Sequence, residues 1–229
     1  MRAAFYPLLL LASLAVVSSV SADGSAIDKI YHPYVQPLER EIEWRMVSAD
    51  GDHLQRLGIG QSLSDSLFVE GYLVAEEQGD TFRLRNYELE AKWQLTEQGE
   101  YAIDWGVIAE LEKLHEQNEW ELATALLMEK EWGRWVSTAN FWLKYEWGER
   151  IKNEFETALA VQTRYRLSPN FEPAIEFYGG ENTRALGPVV MGELRLGTGK
   201  KLHWETGLLL GLDKKTPDAT MRLLAEYEF

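Results

Sequence analysis

The sequence predicts an all-β fold, a transmembrane antiparallel up-and-down β-barrel of about twelve strands. Three observations carry that expectation. From Leu38 onward, segments of roughly ten residues alternate apolar and polar side chains between short polar turns. The chain holds nine Trp, ten Tyr and eight Phe, yet beyond its first residues it has no apolar run long enough for a membrane helix. Its opening residues read as an export signal.

Met1-Arg2 is a basic start, Ala3 to Val17 is apolar apart from Pro7 and Ser13, and Val20-Ser21-Ala22 is a small-residue cleavage site. Residues 1–22 therefore read as a cleaved signal peptide. Crossing about 30 Å of hydrocarbon takes about 20 helical residues, so this short apolar run, followed by Asp23-Gly24-Ser25, is a poor anchor. Residues 23–37 form an N-terminal segment in which Tyr31, Pro33, Tyr34 and Pro37 argue against a central strand. It either hangs in the periplasm or folds into the lumen. Residues 38–229 form the barrel, with no Pro- or Gly-rich linker to divide them.

The clearest strand is Tyr87-Glu88-Leu89-Glu90-Ala91-Lys92-Trp93-Gln94-Leu95, whose odd positions are apolar and whose even positions are polar. A helix would spread those charges around its circumference, whereas a strand puts them on one face. The same parity sets Ile42, Trp44 and Met46 against Glu41, Glu43 and Arg45, and Phe155, Leu159 and Val161 against Glu154, Glu156 and Gln162. It returns in Leu202, Trp204, Leu208 and Leu210, and in Met221, Leu223, Ala225 and Tyr227. The predicted strands are 38–48, 54–62, 66–76, 82–95, 100–113, 119–130, 135–146, 152–166, 171–179, 185–197, 202–212 and 219–229. Ala49-Asp50-Gly51-Asp52, Glu77-Gln78-Gly79-Asp80, Ser168-Pro169-Asn170, Gly179-Gly180-Glu181-Asn182 and Gly197-Thr198-Gly199-Lys200 supply turn chemistry. Val107 to Lys130 is ambiguous, because Val107, Ile108, Leu111 and Leu114 also fit helical spacing. Two strands are read there from the parity of Trp105, Val107, Ala109 and Leu111, then Trp120, Leu122, Leu126 and Met128. A helical hairpin plugging a smaller barrel is the alternative.

The net charge of −14 becomes −15 once Arg2 leaves with the signal, which argues against nucleic acid as a partner. No cysteine is present, so stability in an oxidising compartment rests on the fold. Turning the apolar parity to lipid leaves a lumen lined by Glu41, Glu43, Arg45, Glu88, Glu90, Lys92, Glu110, Glu112, Glu121, Arg164, Glu193, Arg195, Glu205 and Arg222. Such an interior is acidic, and it predicts either a pore favouring cations and neutral polar solutes or a closed lumen of paired charges. The residues do not name the solute.

No enzyme is expected. Pairs such as Glu88 with Glu90 are too common here to be specific, Ser137 on the lipid-facing parity has no His beside it, and Gly-x-Ser-x-Gly is absent. His32, His53, His115 and His203 lack metal-ligand spacing, so no cofactor and no transition-metal site is expected. The expected partners are outer-membrane lipid of a Gram-negative cell, the barrel assembly machinery and a small solute.

In the final third, Leu186-Gly187-Pro188, Gly207 through Gly211-Leu212, Thr216-Pro217-Asp218 and Leu223-Leu224-Ala225-Glu226-Tyr227-Glu228-Phe229 stand in order. They resemble the end of the outer-membrane transporter barrels grouped with the phenol-degradation meta-pathway (MetA-like) family. Ser168-Pro169-Asn170-Phe171-Glu172-Pro173 resembles a turn of the same barrels. The resemblance implies a barrel that passes small molecules, aromatic ones among them. Tyr227 and Phe229 also resemble the C-terminal strand signal by which such barrels are recognised for assembly.

Overall fold

The computed structural model describes residues 27–229; the expected signal peptide and residues 23–26 lie outside the described residues. Among the described residues there are twelve strands and no helix. They are β1 (Arg40–Ala49), β2 (Asp52–Ser64), β3 (Leu67–Gln78), β4 (Thr81–Gln94), β5 (Asp104–Leu114), β6 (Glu119–Trp132), β7 (Trp135–Gly148), β8 (Glu154–Tyr165), β9 (Glu172–Gly180), β10 (Arg184–Gly197), β11 (Lys200–Gly211) and β12 (Ala219–Glu228). Each pairs with its sequence neighbours, and β12 returns to β1 to close the barrel. At that seam Glu41 lies opposite Glu228 and Ala49 opposite Thr220. Closure removes the unpaired edges of an open sheet, which is the condition for strands to cross hydrocarbon.

The strand number is the one the alternation predicts, and the largest boundary difference is the start of β5 at Asp104. Residues 96–103 turn there instead: Glu100 N donates to Glu97 O at 3.1 Å, and Thr96 Oγ1 accepts from Trp105 N at 2.8 Å. The stretch Val107 to Lys130 is β5 and β6, so the helical alternative is overturned. Its apolar residues serve both faces. Ile108 and Leu127 are buried inside, while Leu111, Leu122 and Leu126 point outward, and that two-sided pattern is what imitated a helical stripe. Asp50 (φ 53°) and Gly51 (φ 90°) both take positive φ, as a two-residue hairpin turn requires.

The two faces of the wall differ in kind. Leu57, Ile59, Leu73, Leu89, Phe141, Ile175 and Leu208 form an exposed apolar band outside. Aromatic rings gather above and below it. At the end away from the termini, Trp120 stacks on Trp147 (6.3 Å) and Tyr145 packs on Phe155 (4.5 Å). At the end carrying the termini, Trp135 lies 4.9 Å from Tyr165 and Tyr227 stacks 5.7 Å from Phe229. Along β6, Trp120 and Trp132 both point outward, roughly 40 Å apart along the strand at about 3.3 Å per residue. With a tilt of about 40° they mark a slab about 30 Å tall, the girdle spacing that a bilayer selects.

Leu89→Arg or Leu208→Arg, placed in the middle of that band, should cost about 2–4 kcal/mol in unfolding titrations from lipid vesicles. An arginine tolerated equally well at both positions would mean the band does not face hydrocarbon.

Candidate functional site: a lumen filled by residues 27–37

Residues 27–37 run inside the barrel, the lumenal of the two placements the sequence left open. Leu38 (φ 63°) reverses the chain at the mouth just before β1, with Glu39 N donating to Gln36 O at 3.3 Å. From there the segment climbs the interior. Pro33 passes β5 so closely that a Cβ on Gly106 would stand 2.9 Å from Pro33 Cα, so a side chain there would push the segment away.

Its fastening is mostly polar. Tyr31 N donates to Asn140 Oδ1 (2.7 Å) and Asn140 Nδ2 donates back to Tyr31 O (2.8 Å), so one side-chain amide satisfies both peptide groups of a non-strand residue. Tyr31 Oη donates to Glu90 (2.8 Å), Tyr34 Oη to Asp104 (2.7 Å) and Val35 N to Gln94 (2.7 Å). Lys29 Nζ lies 2.5 Å from Glu43 and 4.0 Å from Glu70. Asp28 takes Arg45 Nη1 at 2.5 Å and lies 3.7 Å from Arg56, and its carbonyl accepts from Arg222 and Tyr178. Apolar contacts are fewer. Ile27 and Ile30 pack among Tyr178, Val189, Met191 and Leu209, and Tyr31 packs with Ile108, Leu127 and edge-on to Trp142 (5.8 Å).

Cavities lie at both ends. The far cavity, about 740 Å³, is lined by Glu110, Glu112, Glu119, Glu121, Arg56, Lys144 and Trp142, with Asp28 and Lys29 on its floor. The cavity at the terminal end, about 690 Å³, is lined by Gln36, Glu39, Glu193, Arg195, Lys201 and Glu228. They share no lining residue, so the segment and the side chains around it divide the lumen.

The sequence-predicted lumen residues fall into four groups. Glu41, Glu43, Arg45, Glu88, Glu90, Glu205 and Arg222 face inward and are buried. They form ion pairs and contacts to the segment: Arg45 Nε lies 2.6 Å from Glu43, and Arg222 Nη2 lies 2.8 Å from both Glu176 and Glu205. Lys92 Nζ sits 5.4 Å over the Phe68 ring, and Arg164 reaches Glu129 (3.8 Å) and Glu172 (3.5 Å). Glu110, Glu112 and Glu121 line the far cavity, where Lys144 meets Glu121 at 3.1 Å. Glu193 and Arg195 stand at the terminal mouth, and the Arg195 side chain, 87% exposed, projects into solvent. Tyr227 and Phe229 face outward at that same end. On the outer face, Ser137 Oγ pairs with Thr163 Oγ1 (2.7 Å).

Sequence reasoning missed Asp28, Lys29, His32, Arg56, Gly106 and Asn140. Arg56 and Asn140 share the inward parity of their strands and were within reach of the alternation. The segment's own charges follow no period and carried no signal.

No known protein family matches the sequence, and no curated protein does either. Solved structures match in fold. The KdgM porin in complex with disordered oligogalacturonate superposes with a TM-score of 0.56 at 11% identity, covering 82% of this chain and 98% of its own. An outer-membrane channel from Pseudomonas putida F1 gives 0.55 at 14% identity, covering 88% and 98%. The NanC porin gives 0.51 at 10%, covering 83% and 98%. The chain thus has the fold of porin-like outer-membrane barrels, and at these identities the likeness is one of fold.

His32 gives the seated segment a pH dependence. Its Nδ1 lies 2.6 Å from Glu129, and Arg164 Nη1, which can only donate, lies 3.0 Å from Nε2. Nε2 must then offer a lone pair, so the imidazole is neutral. Burial, and then the Arg164 charge, hold its pKa below the usual imidazole value. Above about pH 6.5 both the seated and the released histidine are neutral and contribute nothing. As pH falls through that value the released form takes up a proton first, so seating weakens. Amide-exchange protection of residues 27–37 should drop between about pH 8 and about pH 5, and His32→Asn should flatten the change. Equal protection at both ends of that range would sink the assignment.

Proposed function

We propose that this chain is an outer-membrane channel for small solutes whose own N-terminal segment holds the lumen shut. The observation that carries the reading is the way residues 27–37 fill the barrel: a hydrogen-bonded and ion-paired strand of chain, rather than fused core, separates two wet-walled cavities. Twelve strands lie between the eight that side chains alone can fill and the sixteen or more that leave an open pore. A single extended segment is what such a lumen has room for.

The outer band and its aromatic girdles support placement in the outer membrane, with the terminal end toward the periplasm from which an exported chain arrives. Tyr227 and Phe229, stacked on the outside of the last strand, are where assembly machinery would take hold. The structural neighbours support a channel role. One of them is described with oligogalacturonate, an acidic oligosaccharide. The far cavity here carries Glu110, Glu112, Glu119 and Glu121 on its wall, which supports small neutral or cationic cargo instead. The meta-pathway resemblance of the final third keeps small aromatic molecules within that cargo class.

Planar-bilayer recording tests the gate. Deleting residues 23–37, or replacing Gly106→Val to push Pro33 aside without touching a charge, should raise steady ion conductance well above that of the intact chain. Because the chain is cysteine-free, a Tyr31→Cys/Asn140→Cys pair offers the converse. Its oxidised form should be silent, and reduction, which leaves the segment without its Asn140 and Glu90 contacts, should raise conductance to at least that of the intact chain. If both opened variants conduct no more than the intact protein, the lumen is a closed structural core.

A further inference from the structure

The barrel interior contains two triads of carboxylates, each with ligand oxygens lying within 4.8 Å of one another: Glu41, Glu43 and Glu70, and Glu88, Glu90 and Glu110. They differ in how closely a cation approaches. In the first, a cation is already in place, because Lys29 Nζ sits 2.5 Å from Glu43 and 4.0 Å from Glu70. That triad shows what this spacing holds.

In the second triad, Glu90 and Glu110 are direct partners across the β4–β5 ladder and Glu88 is two residues along β4 on the same face. Glu90 accepts from Tyr31 Oη at 2.8 Å, and Glu88 Oε2 accepts from Arg56 Nε at 3.4 Å. Glu88 is only 4% exposed, yet its other oxygen, Oε1, is buried and has no hydrogen-bond partner. A buried carboxylate oxygen beside two further carboxylates is costly unless a cation meets it. Arg56 is shared with Asp28, and the other cations near Glu90 and Glu110, namely Lys29, Arg45 and Lys144, also pair with Glu43, Asp28 and Glu121, so carboxylates outnumber cations around the triad. Glu110 also lines the far cavity, so an ion and its remaining waters can arrive from that end.

We infer that Glu88, Glu90 and Glu110 form a divalent-cation site of the Ca²⁺ class, reached from the far cavity at Glu110 and set against Tyr31 of the lumenal segment. Hard carboxylate oxygens and a local excess of negative charge fit a hard divalent ion, and carboxylates that bind in mono- or bidentate fashion, completed by water, can supply the six to eight oxygens that Ca²⁺ takes. Transition metals would ask for imidazole or thiolate, which the triad lacks. The site does not depend on conduction: a barrel that never opens would still bind the ion.

Isothermal titration of Ca²⁺ into the refolded full chain in detergent, at about pH 8, tests it. One saturable site is expected below about 1 mM, with thermal stability rising as it fills. Glu88→Gln and Glu110→Gln keep the shape of each side chain, and each should weaken binding at least tenfold. Glu41→Gln, in the triad that Lys29 fills, should leave it unchanged. Heat-modifiable migration on a gel confirms that each variant is folded. The inference is overturned if the folded chain takes up no Ca²⁺ at about 10 mM, the result expected if the triad shares protons instead. It is overturned equally if both Gln variants bind like the parent, or if K⁺ at the same concentration displaces the ion.

Discussion

A charge removed from water must be met by another charge, and the interior of this barrel is organised by that requirement. Arg45 and Arg222 are 1% and 0% exposed, and moving an unpaired guanidinium to such a place costs several kcal/mol. Wall carboxylates meet part of that cost: Glu43 for Arg45, and Glu176 with Glu205 for Arg222. Asp28 adds to this, through its carboxylate to Arg45 and its carbonyl to Arg222. The lumenal segment is therefore part of the charge balance of the wall, and the position of Asp28 fixes the course of its neighbours. Lys29 is carried to Glu43, Tyr31 to Asn140 and Glu90, and His32 to Glu129.

The character of these anchors governs how the segment can move. An apolar plug in a dry core would leave an empty cavity behind it, at a cost that grows with its volume. A plug held by hydrogen bonds and ion pairs leaves polar groups that water can satisfy, and water already has access from both cavities. The apolar part, Ile27 and Ile30 against Met191 and Leu209, is at the inner end of the segment, nearest the far cavity. Nearer the terminal mouth the contacts are polar: Tyr34 and Val35 each make one hydrogen bond to the wall, and Gln36 bonds with Glu39, Ser62 and Lys201. Release from that side can begin without first disrupting the apolar contacts.

Much of this was legible in the sequence, and the reason is the period of a strand. Where one face meets an apolar surround and the other a polar interior, alternation marks both the element and its orientation, as in Tyr87 to Leu95. Where the interior itself turns apolar, as at Ile108, Ala125 and Leu127 under Tyr31, the period blurs and helical spacing fits equally well. The inward carboxylates could be listed from parity, but their surroundings could not. Glu90 reads as lumenal, yet it is 2% exposed beneath Tyr31, so an arginine there would be buried and would collide with the segment rather than face water. The segment left no signal because its partners lie far along the chain. Asp28 and Arg222 are 194 residues apart, Tyr31 and Asn140 109, and no local pattern records such a pairing.

The charges left behind when the segment departs determine whether an open state is feasible. Asp28 and Lys29 carry opposite signs, so their withdrawal does not change the net charge of the wall, only its local pairing. Arg45 keeps Glu43 at 2.6 Å, Arg56 keeps Glu88 at 3.4 Å, and Arg222 keeps both Glu176 and Glu205 at 2.8 Å. Each of these guanidiniums thus retains a carboxylate of the wall itself, and entering water hydrates what remains. When the segment leaves, Glu43 and Glu70 lose Lys29 and Glu90 loses Tyr31, so a constriction opened this way would be acidic, as the far cavity is whether or not the segment is seated. Preference for cationic or neutral solutes would then be exerted both in the vestibule and at the constriction, and the segment would control only whether passage occurs.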